Sequence, residues 1–348
     1  MTMIQQVYDL IKTLGTKQVS DIKKTHGEIL KYARSYMTMH CMVSLIHVGF
    51  FELISEKGMI NCADFSRQKH LDKETLTILC EYLYAVRMLE KKGNDYFLTK
   101  KSKHALTYAQ GAFFFLHAYA PIFENLEALL KKEKVYGKDV IRREKSVSQA
   151  SAETEKWLPF PMTRNIIKKY KFKKVMDLGC GSAEFLISLC GHEKKLCGYG
   201  IDLSAESINY AREQVTKRGL DKKIKLLVGD IFKIDTIDVA LDDVDAITSM
   251  YVMHEFIGDD LIRLTELFKK LKNRFKDKYL IICELCRQPS EIIRKNASAI
   301  AEHHLFHSLA KQHLLSREEW RELFKKTGYT IVEERRFDFA SQSYFVLK

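Results

Sequence analysis

The sequence predicts an α/β protein in two parts. A mostly helical region spans residues 1–150, and a doubly wound parallel sheet spans 151–348. Three observations carry this expectation. Strand and helix signals alternate along the C-terminal half, the pattern of parallel strands joined by crossover helices. A glycine turn, Leu178-Gly179-Cys180-Gly181, follows the first of those strands. The first 150 residues instead show apolar residues at helical spacing and one short hairpin signal. A chain of 348 residues fits two domains, and its 46% hydrophobic and 29% charged content is that of a globular protein.

In chain order, Ser20-Asp21 offers a cap before a helix around 29–33, and residues 36–54 carry helical apolar spacing. After Asn61 two short helices precede a hairpin whose turn is Lys92-Gly93-Asn94-Asp95, with Tyr96, Phe97 and Leu98 in the return strand. Helix, helix and a small basic hairpin make the outline of a winged helix. The second helix, residues 74–86, is apolar on more than one face and lacks arginine, which favours packing against a partner over contact with DNA. In the aromatic run that follows, Phe113, Phe114, Phe115, Tyr119 and Phe123 suit a core or dimer interface more than a pocket. Strands are expected at 173–178, 196–203, 223–230, 244–252 and 279–285, with helices at 184–191, 205–219, from Asp259 to 275, and 318–328. Residues 330–339 and 341–348 read as a closing antiparallel hairpin.

Charge and cysteine content narrow the partners. Lys and Arg number 57 against 45 Asp and Glu, a net +12. The excess is spread along the chain and most lysines sit beside acids, so solvated surfaces are expected and a nucleic-acid partner is not. No apolar run reaches the roughly 18 residues of a membrane span, and the first residues lack the order of a secretory signal. The expectation is a cytoplasmic protein without a membrane partner. Eight cysteines are too sparse for a disulfide scaffold, and the lone Cys283-x-x-Cys286 has no second pair to complete a zinc site.

The chemistry is concentrated at strand ends. Asp177 ends an apolar strand, and Gly179 and Gly181 form the turn after it, where positive φ and close approach to a ligand require glycine. A dinucleotide fingerprint would place a third glycine at 184 to hold pyrophosphate, but Glu184 stands there and would repel it. The Asp177 carboxylate suits an ammonium group instead. Asp202 ends the next strand and can accept from ribose hydroxyls; Asp230 ends the third and can meet an adenine amine. An ammonium anchor, a ribose acid and an adenine acceptor describe a site for S-adenosylmethionine.

The stretches VMDLGCGSAEF (175–185), GIDLS (200–204), VGDIF (228–232) and DAITSMYVMHEF (245–256) resemble class I S-adenosylmethionine-dependent methyltransferases. With the winged-helix-like unit, the chain is similar to small-molecule O-methyltransferases over roughly residues 35–348. Residues 135–152, 253–256 and 306–324 look like the branch of 2-oxo-acid C-methyltransferases whose best-known member acts on 2-ketoarginine. The resemblance implies a Rossmann-like sheet, a homodimer entwined through its N-terminal helices, and a small-molecule acceptor. It assigns Asp177, Gly179 and Gly181 to the methionine part of the donor, Asp202 to the ribose, Asp230 and Ile231 to the adenine, and Tyr136 to a segment near the donor. It makes His254 the general base, with Glu255 orienting it or acting as a base itself.

Four more histidines, His303, His304, His307 and His313, cluster downstream, and helical spacing puts His303 and His304 each on a face with His307. One reading makes His254 and His307 ligands of a divalent ion such as iron, leaving open positions for a chelating oxo acid; the other is a polar helix lining the pocket with no metal. One departure stands out: Gln312-His313 occupies the place where the branch shows Gln-Arg, so its cation is missing and Arg287 or Arg164 would have to replace it. C-methylation of a 2-oxo acid is the first expectation and O-methylation of a hydroxyl the second. A non-catalytic protein that binds S-adenosylmethionine or nucleic acid is the third.

Overall fold

A computed structural model describes residues 2–193, 195–237, 243–257, 261–295 and 300–348. The chain divides into two compact units, Met1–His117 and Ala118–Lys348.

The first unit opens with α1 (Met3–Leu14), where the Thr2 hydroxyl accepts the Gln5 N–H as a cap. Next, α2 (Thr16–His47) runs unbroken through Ser20-Asp21, so no cap forms there; the helix starts directly after Gly15. Gly49, at φ 79°, then turns the chain into α3 (Phe50–Lys57). The unit continues through β1 (Ile60–Asn61), α4 (Cys62–Lys69), α5 (Lys73–Ala85), β2 (Leu89–Lys92), β3 (Asp95–Leu98) and α6 (Lys100–Tyr108). Asn61 and Asp72 cap α4 and α5 through their side chains. The expected hairpin forms about Gly93-Asn94, pairing Lys92 with Asp95, and β1 adds to the free side of β3. Leu76, Cys80 and Leu83 of α5 are buried in a core with Met42, Phe50 and Phe65, so this helix spends its apolar face on packing.

α7 (Gln110–Glu124), α8 (Leu126–Leu130), α9 (Glu144–Glu155) and α10 (Pro159–Tyr170) lead to the sheet. The second unit begins well before the boundary expected at residue 150. The physical reason is bonding: Arg143 N–H donates to the Ala118 carbonyl, and the Arg142 side chain reaches Glu255.

The sheet elements are β4 (Lys174–Leu178), α11 (Glu184–His192), β5 (Cys197–Asp202), α12 (Ala205–Lys217), β6 (Ile224–Val228), β7 (Ala246–Met250), α13 (Ile262–Arg274) and β8 (Tyr279–Leu285). They are followed by α14 (Ser290–Lys295), α15 (Ile300–Leu309), α16 (Arg317–Lys326), β9 (Ile331–Phe337) and β10 (Gln342–Leu347). The expected start of α13 at Asp259 lies outside the described residues. Strand order is β6-β5-β4-β7-β8-β10-β9, parallel from β6 to β8, with β10 antiparallel to both its neighbours. Successive connections lead away from β4 in opposite directions, so the sheet has a topological switch between β4 and β7, where open α/β sheets bind ligands. Both faces are covered, one by Phe268, Trp320 and Phe324 and the other by Phe185, Leu186 and Ile208. That double burial is why the parallel strands read as near-continuous apolar runs. Among the described residues no single helix is long and apolar enough to cross a membrane.

Candidate active site

Two groups of side chains gather at the C-terminal ends of the parallel strands. The first lies on adjacent strands. In register, Leu178 pairs with Ile201 and Asp202 with Val228, so Asp177, Asp202 and Asp230 stand along one edge. Asp177 is buried and accepts the Thr248 hydroxyl at 2.7 Å. Burial raises its carboxyl to about 7, with the nearby Asp202 charge adding to the shift and Thr248 opposing it. Gly179 adopts φ 70°, and a Cβ there would lie 2.6 Å from Val252 Cγ2, so its need for glycine comes from Val252 as well as from the turn. Gly181, at φ 50°, has open space around its Cα, and its N–H donates to Asp202 Oδ2 at 2.8 Å. The other Asp202 oxygen accepts the Ser204 N–H at 2.9 Å. Asp202 therefore pins the glycine turn and keeps further lone pairs for hydroxyl donors. Asp230 caps the short helical turn Ile231–Thr236 through the Phe232 N–H at 3.0 Å, and Ile231 is buried behind it.

The second group starts where β7 ends. Tyr251, at φ 54°, donates its N–H to the Cys283 carbonyl and turns the chain into Met253–Phe256. Glu284, fully buried on β8, organises this turn. Its Oε1 accepts the Met253 and His254 N–H groups at 2.8 and 3.3 Å, and its Oε2 takes the His254 Nδ1 proton at 2.8 Å. His254 Nε2 is left to face the site, 3.7 Å from Glu255 Oε1. Burial pulls the imidazole pKa down, but the Glu284 charge and hydrogen bond outweigh it, and the net direction is up.

The ring of His307, from α15, lies 5.0 Å from that of His254. Its Nδ1 donates to the His303 carbonyl at 2.6 Å, and burial with the His254 charge lowers its pKa to about 3. His307 is thus neutral, with Nε2 bare. His303 and His304 are partly buried and His313 is exposed. Glu255 is gripped by Arg142 Nη2 at 3.1 Å and by Gln312 Nε2 at 2.5 Å. Arg142 also donates to Glu144 and to the Tyr119 hydroxyl, and Tyr119 stacks on Phe306. The half-buried Tyr136 has Arg142, Glu144 and Glu255 as charged neighbours, which puts it with this second group.

Arg287 is exposed and paired with Glu319, whereas the Arg142 side chain, 10% exposed, is the cation next to Glu255. Sequence reasoning passed over Arg142 and Glu284, and noted Gln312 only beside the missing cation at 313. A signal for Glu284 existed, because it is the lone charge in the apolar run YLIICEL. Tyr119 is buried in the core as expected, and its hydroxyl also bonds Arg142 and Gln312. For a metal ion, His254 and His307 each have Nδ1 tied and Nε2 bare, the arrangement usual in ligating histidines. Among the described residues no group of three or more His, Cys, Asp or Glu is placed to hold an ion.

Residues 169–328 match a family described as methyltransferase domain. The chain is 23% identical over 319 residues to a 2-ketoarginine methyltransferase of Streptomyces arginensis, covering 89% of this chain and 90% of that protein. It is 20% identical over 314 residues to the methyltransferase ungE' of Aspergillus campestris, covering 85% and 89% of the two chains. Among solved structures, mitomycin 7-O-methyltransferase MmcR aligns with a TM-score of 0.66 at 16% identity over 96% of this chain and 99% of the other. Human N-acetylserotonin methyltransferase, solved with S-adenosylmethionine, aligns with a TM-score of 0.68 at 13% identity over 93% and 97%. At such identities the structures establish the fold. Together with the strand-end acids, these matches make the protein an S-adenosylmethionine-dependent methyltransferase, with a methyltransferase domain over residues 169–328. The likeness to the 2-ketoarginine branch expected from the sequence is met by the Streptomyces relative.

Proposed function

We propose that the enzyme methylates the carbon beside the keto group of a small 2-oxo acid. The observation that carries this reading is the juxtaposition of a buried, Glu284-backed His254 with the Arg142–Glu255 pair. Removing a proton next to a carbonyl needs a base with pKa near neutrality, and holding the acceptor's carboxylate needs a cation that water does not screen. Arg142 meets the second need and takes the place of the arginine missing at 313. The name of the Streptomyces relative supports the same acceptor class.

In this reading Asp177, Gly179 and Gly181 hold the methionine part of S-adenosylmethionine, Asp202 the ribose, and Asp230 with Ile231 the adenine, while Tyr136 closes the donor site from the acceptor side. When bound, the donor supplies a methyl group made electrophilic by its sulfonium. His254 Nε2 takes the proton from the acceptor carbon, and the freed electron pair becomes the nucleophile. Glu284 steadies the imidazolium, and Arg142 orients the acceptor. A divalent ion on the bare Nε2 atoms of His254 and His307 would supply a Lewis acid for the oxo oxygens, and Glu255 is then the base.

The test is to offer 2-oxo acids, phenols and amines with carbon-13-labelled donor and to locate the methyl by NMR. A carbon–methyl signal beside the keto group is the expected result. A methyl on oxygen would replace this reading with O-methylation, for which the His254–Glu284 pair is equally suited as a base for a hydroxyl. Loss of activity on chelation, restored by Fe(II), would establish the ion.

The winged-helix-like first unit serves in this reading as a dimerisation module. α1 exposes Met3, Ile4, Val7, Tyr8, Leu10 and Leu14, an apolar face suited to a second copy of the chain. Light scattering at a range of concentrations would find a homodimer of about twice the 40.5 kDa chain mass. The eight cysteines are free thiols, which suits the cytoplasm.

A further inference from the structure

We propose that Gln312 is a specificity-determining residue of the acceptor site, giving its second amide N–H to the acceptor's carboxylate next to an unused N–H of Arg142. The proposal rests on the acceptor reading above and deepens it. Two donors, one charged and one neutral, hold the carboxylate of a 2-oxo acid.

The end of α15 sets the place of Gln312. Lys311 takes a left-handed conformation, φ 56°, and the Gln312 backbone N–H then reaches back to the His307 carbonyl at 2.8 Å. This turn buries Gln312, 8% exposed, and leaves His313 in solvent. Of the two residues at the place where the 2-oxo-acid branch shows Gln-Arg, the glutamine is therefore the one that reaches the site.

Hydrogen bonding fixes which end of the amide faces which neighbour. The Tyr119 hydroxyl accepts from Arg142 Nη1 at 3.2 Å, so its own proton points to Gln312 Oε1, 3.5 Å away. A carboxylate can only accept, so the amide nitrogen faces Glu255, 2.5 Å from Oε2. Arg142 Nη2 donates to that same oxygen at 3.1 Å. Two nitrogens from distant parts of the chain thus flank one carboxylate oxygen.

The N–H groups that remain are what an acceptor can use. A guanidinium has five: in Arg142, Nε donates to Glu144, Nη1 to Tyr119 and Glu255, and Nη2 to Glu255 with one of its two. Gln312 Nε2 has two N–H groups and uses one on Glu255. Among the described residues, each nitrogen beside Glu255 Oε2 therefore keeps one N–H without a partner. Both side chains are shielded from water, so an oxygen-bearing ligand is what these donors accommodate best. Gln312 also lines a cavity of about 340 Å³, whose walls include Ile257, Leu261, Leu314 and Leu315. A volume in this range holds a small molecule, which gives the acceptor's carbon chain a place next to its carboxylate.

The experiment compares kcat/KM for the 2-oxo acid turned over best in the panel above with that for its methyl ester. The proteins are the wild type, Gln312→Met and Gln312→Glu. Methionine keeps the length of the side chain and removes both N–H groups. The acid-to-ester ratio should fall about tenfold, the loss of one hydrogen bond to a charged group, mainly through the KM of the acid. Gln312→Glu sets a like charge against the carboxylate and should lower the ratio further. An unchanged ratio in both variants would overturn the proposal and leave the acceptor reading standing. Calorimetric affinity for S-adenosylhomocysteine should stay within about threefold of wild type. A loss there as large as the fall in the ratio would make the role of Gln312 structural and overturn the proposal as well. A wild-type protein that methylates no 2-oxo acid would overturn the acceptor reading itself, and this proposal with it.

Discussion

His254 Nδ1 and Glu284 Oε2 stand 2.8 Å apart, both buried, and the same carboxylate accepts the backbone N–H groups of Met253 and His254. One side chain on β8 therefore fixes the tautomer, the ring plane and the backbone of the turn that presents His254, the base of the proposed reaction. Removing it separates base strength from base position.

In Glu284→Gln the backbone contacts can persist through the amide oxygen, but the charge that supports the imidazolium is gone. The His254 pKa, raised above its ordinary 6.5 in the native protein, should fall. The acid limb of the activity profile should move to lower pH, and the plateau rate should drop by about a hundredfold or more. The pair also bears on stability. A raised histidine pKa stabilises the fold fully below about 6.5 and loses that contribution as pH rises through the folded value, so the native melting temperature should decline across that window more than the variant's. An unshifted pH–rate profile in Glu284→Gln would rule out its support of the base.

Donor affinity should depend on pH through Asp177. A carboxyl raised to about 7 from an ordinary 3.8 makes the folded protein bind more protons than the unfolded chain between those values. Stability from this group is therefore present below about pH 4 and is lost as pH rises towards 7. A bound ammonium reverses that loss. The thermal shift produced by S-adenosylmethionine should grow from pH 6 to pH 8 in the native protein and be small and flat in Asp177→Asn.

Arg142→Lys tests acceptor recognition. Arginine grips Glu255 through two nitrogens and Tyr119 through one of them, a fork that lysine cannot reproduce. For an anionic acceptor, KM should rise roughly tenfold or more with a smaller change in kcat, since a good charge-assisted contact contributes about 1.5–3 kcal/mol. A neutral phenolic acceptor should show no such KM effect, so the comparison of acceptors decides the matter.

Gly179→Ala should destabilise the protein by about 2–3 kcal/mol, combining a left-handed backbone with a Cβ driven into Val252. Adding Val252→Ala should recover the steric part and leave about 1–2 kcal/mol of backbone cost. Denaturant titration of the single and double variants gives both numbers.

What the sequence disclosed was local. The three strand-end acids, the glycine turn and the strand–helix alternation each lie within a short stretch, where periodicity and turn chemistry are readable. His254 also announced itself, directly after a strand. Glu284 is 30 residues from His254 and Arg142 is 113 from Glu255, and these meet only through strand order. Spacing along the chain carries no trace of such meetings. The misplaced cap at Ser20-Asp21 has another cause: a good capping residue does nothing where helical conformation continues on both sides, and α2 tolerates even Gly27. The boundary at 150 failed for the same reason as Arg142, since side-chain bonds and not composition tie residues 118–150 to the second unit.

The insertion of β10 between β8 and β9 sets an order of assembly. Strands β4 to β8 can associate as the ribosome delivers them, whereas β9 must wait, undocked, until a later segment threads in beside it. The stretch carrying Glu284 is thus walled on one flank only once that later segment is in place. A nascent chain would order the edge formed by Asp177, Asp202 and Asp230 before the His254–Glu284 pair is rigid.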